Sequence, residues 1–101
     1  MHDSKMHVLA LELRLRFPQV QTLKEKRSMI RPIIDRLPRL GVSVAEVDDQ
    51  DVLQSSRLGV VTVSGSARQA IESIDEAERL VWSRPDVEVV SAERTWMELD
   101  A

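Results

Sequence analysis

Between Thr22 and Ile34 the chain reads TLKEKRSMIRPII, which places Lys24, Lys26, Arg27 and Arg31 within eight residues. Arg14 and Arg16 precede them closely. Basic side chains at this density could hold the oxygens of phosphate groups, most naturally on an RNA backbone. Further on, Glu46, Asp48, Asp49 and Asp51 put four carboxylates into six residues. Such a run could bind a hard cation, but the spacing matches no EF-hand loop and lacks its glycine. A solvated acidic turn accounts for it, and no metal is expected. The two histidines, His2 in the N-terminal tail and His7 at the opening of a strand, assemble no Ser-His-Asp set with other residues. No catalytic residue and no cofactor are predicted.

The composition narrows the classes further. A chain of 101 residues that is 43% hydrophobic and 31% charged makes one globular domain, with residues 1–5 as a flexible lead-in. It has no cysteine, so disulfides, thiol catalysis and cysteine-held metals are excluded. No apolar run approaches the ~20 residues of a membrane span. The stretch MHDSKMHV has no apolar signal core, which points to the cytoplasm. The net charge of −3 conceals a polarity: residues 1–40 hold nine Lys/Arg and four Asp/Glu, residues 41–101 five and thirteen.

These groups need elements to position them. HVLALELRLRF, 7–17, alternates with period two, with Leu9, Leu11, Leu13, Leu15 and Phe17 on one face. Val8, Ala10, Glu12, Arg14 and Arg16 take the other. Thr22 and Glu25 have capping-box spacing and open a helix. Lys24, Lys26 and Arg27 then crowd its positive dipole end, where each exposed cation costs roughly 0.3–1 kcal/mol. Lys26 lies at the apolar angle, in the first turn, where its stem can follow the core edge. Pro32 is expected to kink or divide this helix near Ser28–Arg31, and Pro38 to end it, with Gly41 as cap.

VSVAEV, 42–47, and LGVVTVS, 58–64, are strands joined through the acidic segment. A second helix begins at the Ser66–Gln69 capping box and carries Ala67, Ala70, Ile71, Ile74, Ala77 and Val81 at helical spacing. VEVVSAERTWMEL is a last strand, bulged near Ser91–Glu93. Trp82 is expected to pack the end of the second helix against the sheet; Trp96 is left open between the core and the exposed sheet face. The order βαββαβ predicts a ferredoxin-like α+β fold, strand order 4-1-3-2, with both helices on one sheet face. The core is expected to hold Leu9, Leu11, Leu13, Leu15, Ile30, Ile33, Leu37, Val61, Val63, Ile71, Ile74 and Val89.

The box Leu23–Ser28, the segment Val44–Val47 with Gln50 and Asp51, then LGVVTVS and RPDVEVV together resemble the DUF503 family, the YlxP-like small bacterial proteins. Glu46, Gln50 and Asp51 are the family-motif positions of the second segment. The chain departs from that pattern at Pro32 and Pro38, and at Asp48, where the family often has glycine. The resemblance implies a ferredoxin-like fold, no established enzyme activity and a translation-related neighbourhood.

Related folds do other work that this sequence does not support. An RNA-recognition motif would carry stacking aromatics on its first and third strands. A metal chaperone would need paired cysteines. Acylphosphatase cradles phosphate in a glycine-bearing loop, and here that loop is PQVQT. The topology brings the LKEKR cations beside the EVDDQD carboxylates, so the two sets either pair internally or leave cations for a phosphate ligand. The functional expectation is a non-catalytic protein that contacts structured RNA or a ribosomal particle through Lys24, Lys26, Arg27 and Arg31, aided by Arg14 and Arg16. The alternative is an interaction or dimerisation module that uses the uncovered sheet face and has no nucleic-acid role. A phosphate-ester enzyme is the third and weakest reading. A homodimer is expected, because an uncovered face and open edge strands invite a partner.

Overall fold

The computed structural model describes residues 5–49 and 52–98. Its elements run β1 (His7–Arg16), α1 (Leu23–Arg36), a 3₁₀ turn (Leu37–Leu40), β2 (Ser43–Asp48), β3 (Ser55–Ser64), α2 (Ala67–Trp82) and β4 (Glu88–Met97). The four strands form one antiparallel sheet in the order β2-β3-β1-β4, which is 4-1-3-2 read from the other edge. This is the ferredoxin-like α+β arrangement. His2 of the tail and Gln50 and Asp51 of the motif segment lie outside the described residues.

Strand β1 sits at the centre and its alternation decides the layers. Leu9, Leu11, Leu13, Leu15 and Phe17 are buried under the helices, and Glu12, Arg14 and Arg16 point from the opposite face. Register carries that choice to β3, where Thr62, Val60, Leu58 and Ser56 stand opposite Leu9, Leu11, Leu13 and Leu15. The helix side of β3 is therefore Ser56, Leu58, Val60 and Thr62, all buried. Val61 and Val63 lie on the open face, Val63 with 60% of its surface exposed, against the expectation that both are core. The two polar residues on the buried side are satisfied: Thr62 donates to the Gly41 carbonyl at 2.9 Å and Ser56 to Glu46 at 2.6 Å.

Both helices begin as their spacing predicts. Thr22 Oγ1 accepts from the Glu25 amide at 3.1 Å and Ser66 Oγ from the Gln69 amide at 3.3 Å. Pro32 lies within α1 but does not divide it. Burial of Ile30, Ile33 and Leu37 on the sheet holds the helix together over the one backbone bond that proline removes. Pro38 tightens the chain into the 3₁₀ turn, which Gly41 ends at φ 81°. Helix α2 buries Ala70, Ile74, Ala77 and Val81. Ile71, one residue round from that stripe, is exposed. Trp82 is exposed as well, because it stands a further 100° past Val81 at the helix's last position.

The bulge in β4 falls at Val90, where the pairing shifts between Arg14–Ser91 and Leu15–Val89. Beyond it, Arg94 ties the strand to α2 through Asp75 at 2.8 Å and Glu78 at 3.1 Å. Partial burial would lower the Arg94 guanidinium pKa, but the hydrogen bonds and charges of Asp75 and Glu78 outweigh it and raise the group above ordinary arginine. Trp96 is opposite Leu9 on the helix side, only part-covered, with its ring edge-on to His7 at 6.4 Å.

Candidate functional site

Helix α1 sorts its cations by angle. Ile30, Ile33 and Lys26 face the sheet and are buried. Lys24, Arg27, Arg31, Arg36 and Arg39 fall on the outer side, where with Ser28, Pro32 and Asp35 they line one shallow depression. None of these five cations makes an ion pair among the described residues. They rise with the helix over about 22 Å, roughly one charge per turn. Arg36 and Arg39 were missed in the sequence: Arg36, five residues after Arg31, stands about 140° round the helix from it, and Arg39 lies in the 3₁₀ turn beyond α1.

Lys26 does not belong to that surface. Only 2% of it is exposed, and its amine donates to the Asp49 carbonyl and to the Val52 carbonyl at 2.6 Å. Glu46 Oε2 stands 3.5 Å from the same nitrogen. The ammonium thus meets two carbonyls and a carboxylate, the pairing that a buried charge requires. Its partners come from the strand end and loop that connect β2 to β3. There Asp49 adopts a left-handed φ of 63°, with its amide held by Asp48 Oδ1 at 2.8 Å. Of the two fates open to the LKEKR cations, Lys26 takes internal pairing, and Lys24 and Arg27 stay outside.

Arg14 and Arg16 are not brought together with the α1 stripe. They leave the sheet on the face opposite the helices, with the layer of β1 between the two groups. Arg14 stands directly across from Arg57 of β3, a neighbour that only the register reveals. Among the described residues no group of three His, Cys, Asp or Glu is placed to hold a metal ion. No helix among them is long and apolar enough to cross a membrane.

The two sequence boxes that Lys26 and Glu46 join are among the segments in which the sequence resembles a known family. A family model described as "Protein of unknown function (DUF503)" matches residues 8–94. The chain belongs to the DUF503 family. No curated protein matches it. Among solved structures, this DUF503 chain is similar to the de novo designed protein Foldit4, at 17% identity and a TM-score of 0.50. That likeness covers 87% of this chain and 96% of the designed one, and is a likeness of fold. A PII-like signalling protein from Thermus thermophilus matches at 18% identity and a TM-score of 0.41, over 91% of this chain and 90% of that one. The ion pair between its two motif segments gives the DUF503 chain a structural reason for Lys26 and Glu46; the outer stripe of α1 calls for a different one.

Proposed function

We propose that this DUF503 protein is a non-catalytic binding protein that contacts structured RNA, such as that of a ribosomal particle, through the outer face of α1. The observation that carries the reading is the stripe of Lys24, Arg27, Arg31, Arg36 and Arg39, without ion pairs among the described residues. Cations near a helix start raise the cost of the helix, yet they add to its free N–H groups and positive dipole end as an anion site. The stretch 22–41 contains no aromatic residue to serve as a base-stacking platform, which favours recognition through phosphates and shape. A net charge of −3 and the presence of Glu25 and Asp35 favour modest, salt-sensitive affinity over indiscriminate binding.

The test is co-sedimentation with ribosomes over a range of salt, with and without nuclease, for the wild type and the folded triple variant Lys24→Gln, Arg27→Gln, Arg31→Gln. Removal of three phosphate contacts should weaken binding and reduce the log–log salt slope by about 2–3. Unchanged binding and slope would remove α1 as the contact face. A second reading, a protein-interaction or dimerisation module, is favoured by Val47, Val63 and Met97, which leave more than half of their surface exposed. Light scattering at tens of micromolar separates a paired second copy from a monomer that awaits a different protein.

A further inference from the structure

The sheet face away from the helices is not flat. Ala45 and Gly59 pair directly across its middle, Ala10 lies diagonal to Gly59 and opposite Val61, and Val47 and Met97 rise around them. The result is a largely apolar trough of about 550 Å³ that crosses all four strands. Gly59 keeps it open, because a Cβ there would come within 3.0 Å of Val47. At the β1–β4 end stand Glu12 and Glu93, directly opposite each other in register and both exposed. Neither has an ion pair among the described residues. Like charges in directly opposed positions destabilise a sheet, so the trough holds two carboxylates that a cation would satisfy.

The geometry points to an amphipathic helix of a partner protein as the occupant, with apolar side chains in the trough and a lysine or arginine between Glu12 and Glu93. This deepens the second reading above and is independent of the RNA contact on α1. Four strands at ~4.8 Å spacing make the trough about 14 Å long, enough for two to three helical turns but for only about four residues of extended chain. The carboxylates exclude a phosphate backbone as the occupant. They also disfavour a second copy of this chain. A twofold axis along the strands would stack the Glu12–Glu93 row on itself. An axis across the strands could set that row against Arg14 and Arg57 of the other copy, but it would slide Val61 and Met97 off each other's apolar surface.

The probe is an 18-residue alanine-based helical peptide with a leucine stripe and one central lysine, compared with central glutamine and central glutamate. Binding to the full chain is followed by amide chemical shifts and fluorescence anisotropy. The lysine peptide should bind about tenfold more tightly than the glutamate peptide, as electrostatic complementarity at a contact requires. Shifts should centre on Ala10, Ala45, Gly59 and Val61. The Glu12→Gln/Glu93→Gln protein should bind the lysine and glutamine peptides equally, and the Lys24→Gln/Arg27→Gln/Arg31→Gln protein should bind all three as wild type does. Failure of the α1 variant to lose ribosome association therefore leaves this proposal standing. It is overturned by no saturable binding at millimolar peptide, by equal affinity for lysine and glutamate peptides, by shifts confined to α1, or by a dimer that occludes the trough.

Discussion

Lys26 and Glu46, twenty residues apart in sequence, face each other at 3.5 Å beneath the loop that joins β2 to β3. The same ammonium holds the carbonyls of Asp49 and Val52, and Glu46 also accepts from Ser56 Oγ at 2.6 Å. One cation of α1 therefore ties the helix start to Glu46, Asp49 and Val52. This accounts for one of the three cations at the unfavourable end of the helix dipole. Among the described residues Lys24 and Arg27 make no ion pair, so no charged partner within the fold accounts for their position.

Lys26→Met should destabilise the protein by about 3 kcal/mol, since it leaves Glu46 and two carbonyls without their common donor. Glu46→Gln should cost less, about 1 kcal/mol, because the carbonyl contacts of Lys26 survive. Urea denaturation followed by circular dichroism measures both. A Lys26→Met protein as stable as wild type would mean that the amine is not held by the hairpin.

Arg36→Gln with Arg39→Gln should reduce the salt slope of ribosome association by about 1.5–2, in step with two lost phosphate contacts. Arg14→Gln with Arg16→Gln should leave it unchanged, because those side chains leave the other face of the sheet. Slopes measured for the two double variants in parallel distinguish a contact along the whole α1 stripe from one spread around the molecule.

Element order and sheet topology were legible because period two in β1 and the two capping boxes are strong local signals. The face of β3 was not. LGVVTVS offers Val61 and Val63 on one side and Leu58, Val60 and Thr62 on the other, and both sides are apolar enough to bury. Only the register with β1, together with the Gly41 carbonyl and Glu46 as partners for Thr62 and Ser56, decides between them. Lys26 was legible as a residue at the apolar angle, but two of its partners are backbone carbonyls, which every residue carries and no pattern marks. Arg57 joined Arg14 only through pairing across strands. Sequence patterns report periodicity within an element, and the candidate sites here arise mostly between elements.

Arg94→Met should lower stability by about 1 kcal/mol at low ionic strength, the upper end for a partly exposed ion pair. Asp75 and Glu78 share the guanidinium, one on each terminal nitrogen. Arg94→Lys should therefore recover little, as an ammonium does not reproduce that fork. Thermal unfolding at low (about 0.05 M) and high (about 1 M) salt tests it: the difference from wild type should shrink at high salt as exposed charges are screened. An effect independent of salt would assign the loss to packing of the arginine stem on α2.

Glu93→Gln should raise stability by a few tenths of a kcal/mol, because it removes one of two like charges set directly across β1 and β4. Glu12→Gln should do the same, and the double variant should gain less than the two single gains together, since each relieves the same repulsion. A double-mutant cycle by urea denaturation reads that coupling. Its sign matters beyond stability. If the single variants lose stability instead, Glu12 or Glu93 is already satisfied by the neighbouring Arg14, and the trough has no unmet demand for a partner's cation. A gain in stability from loss of the carboxylates would mean that they weaken the chain on its own, as expected of groups retained for a bound partner.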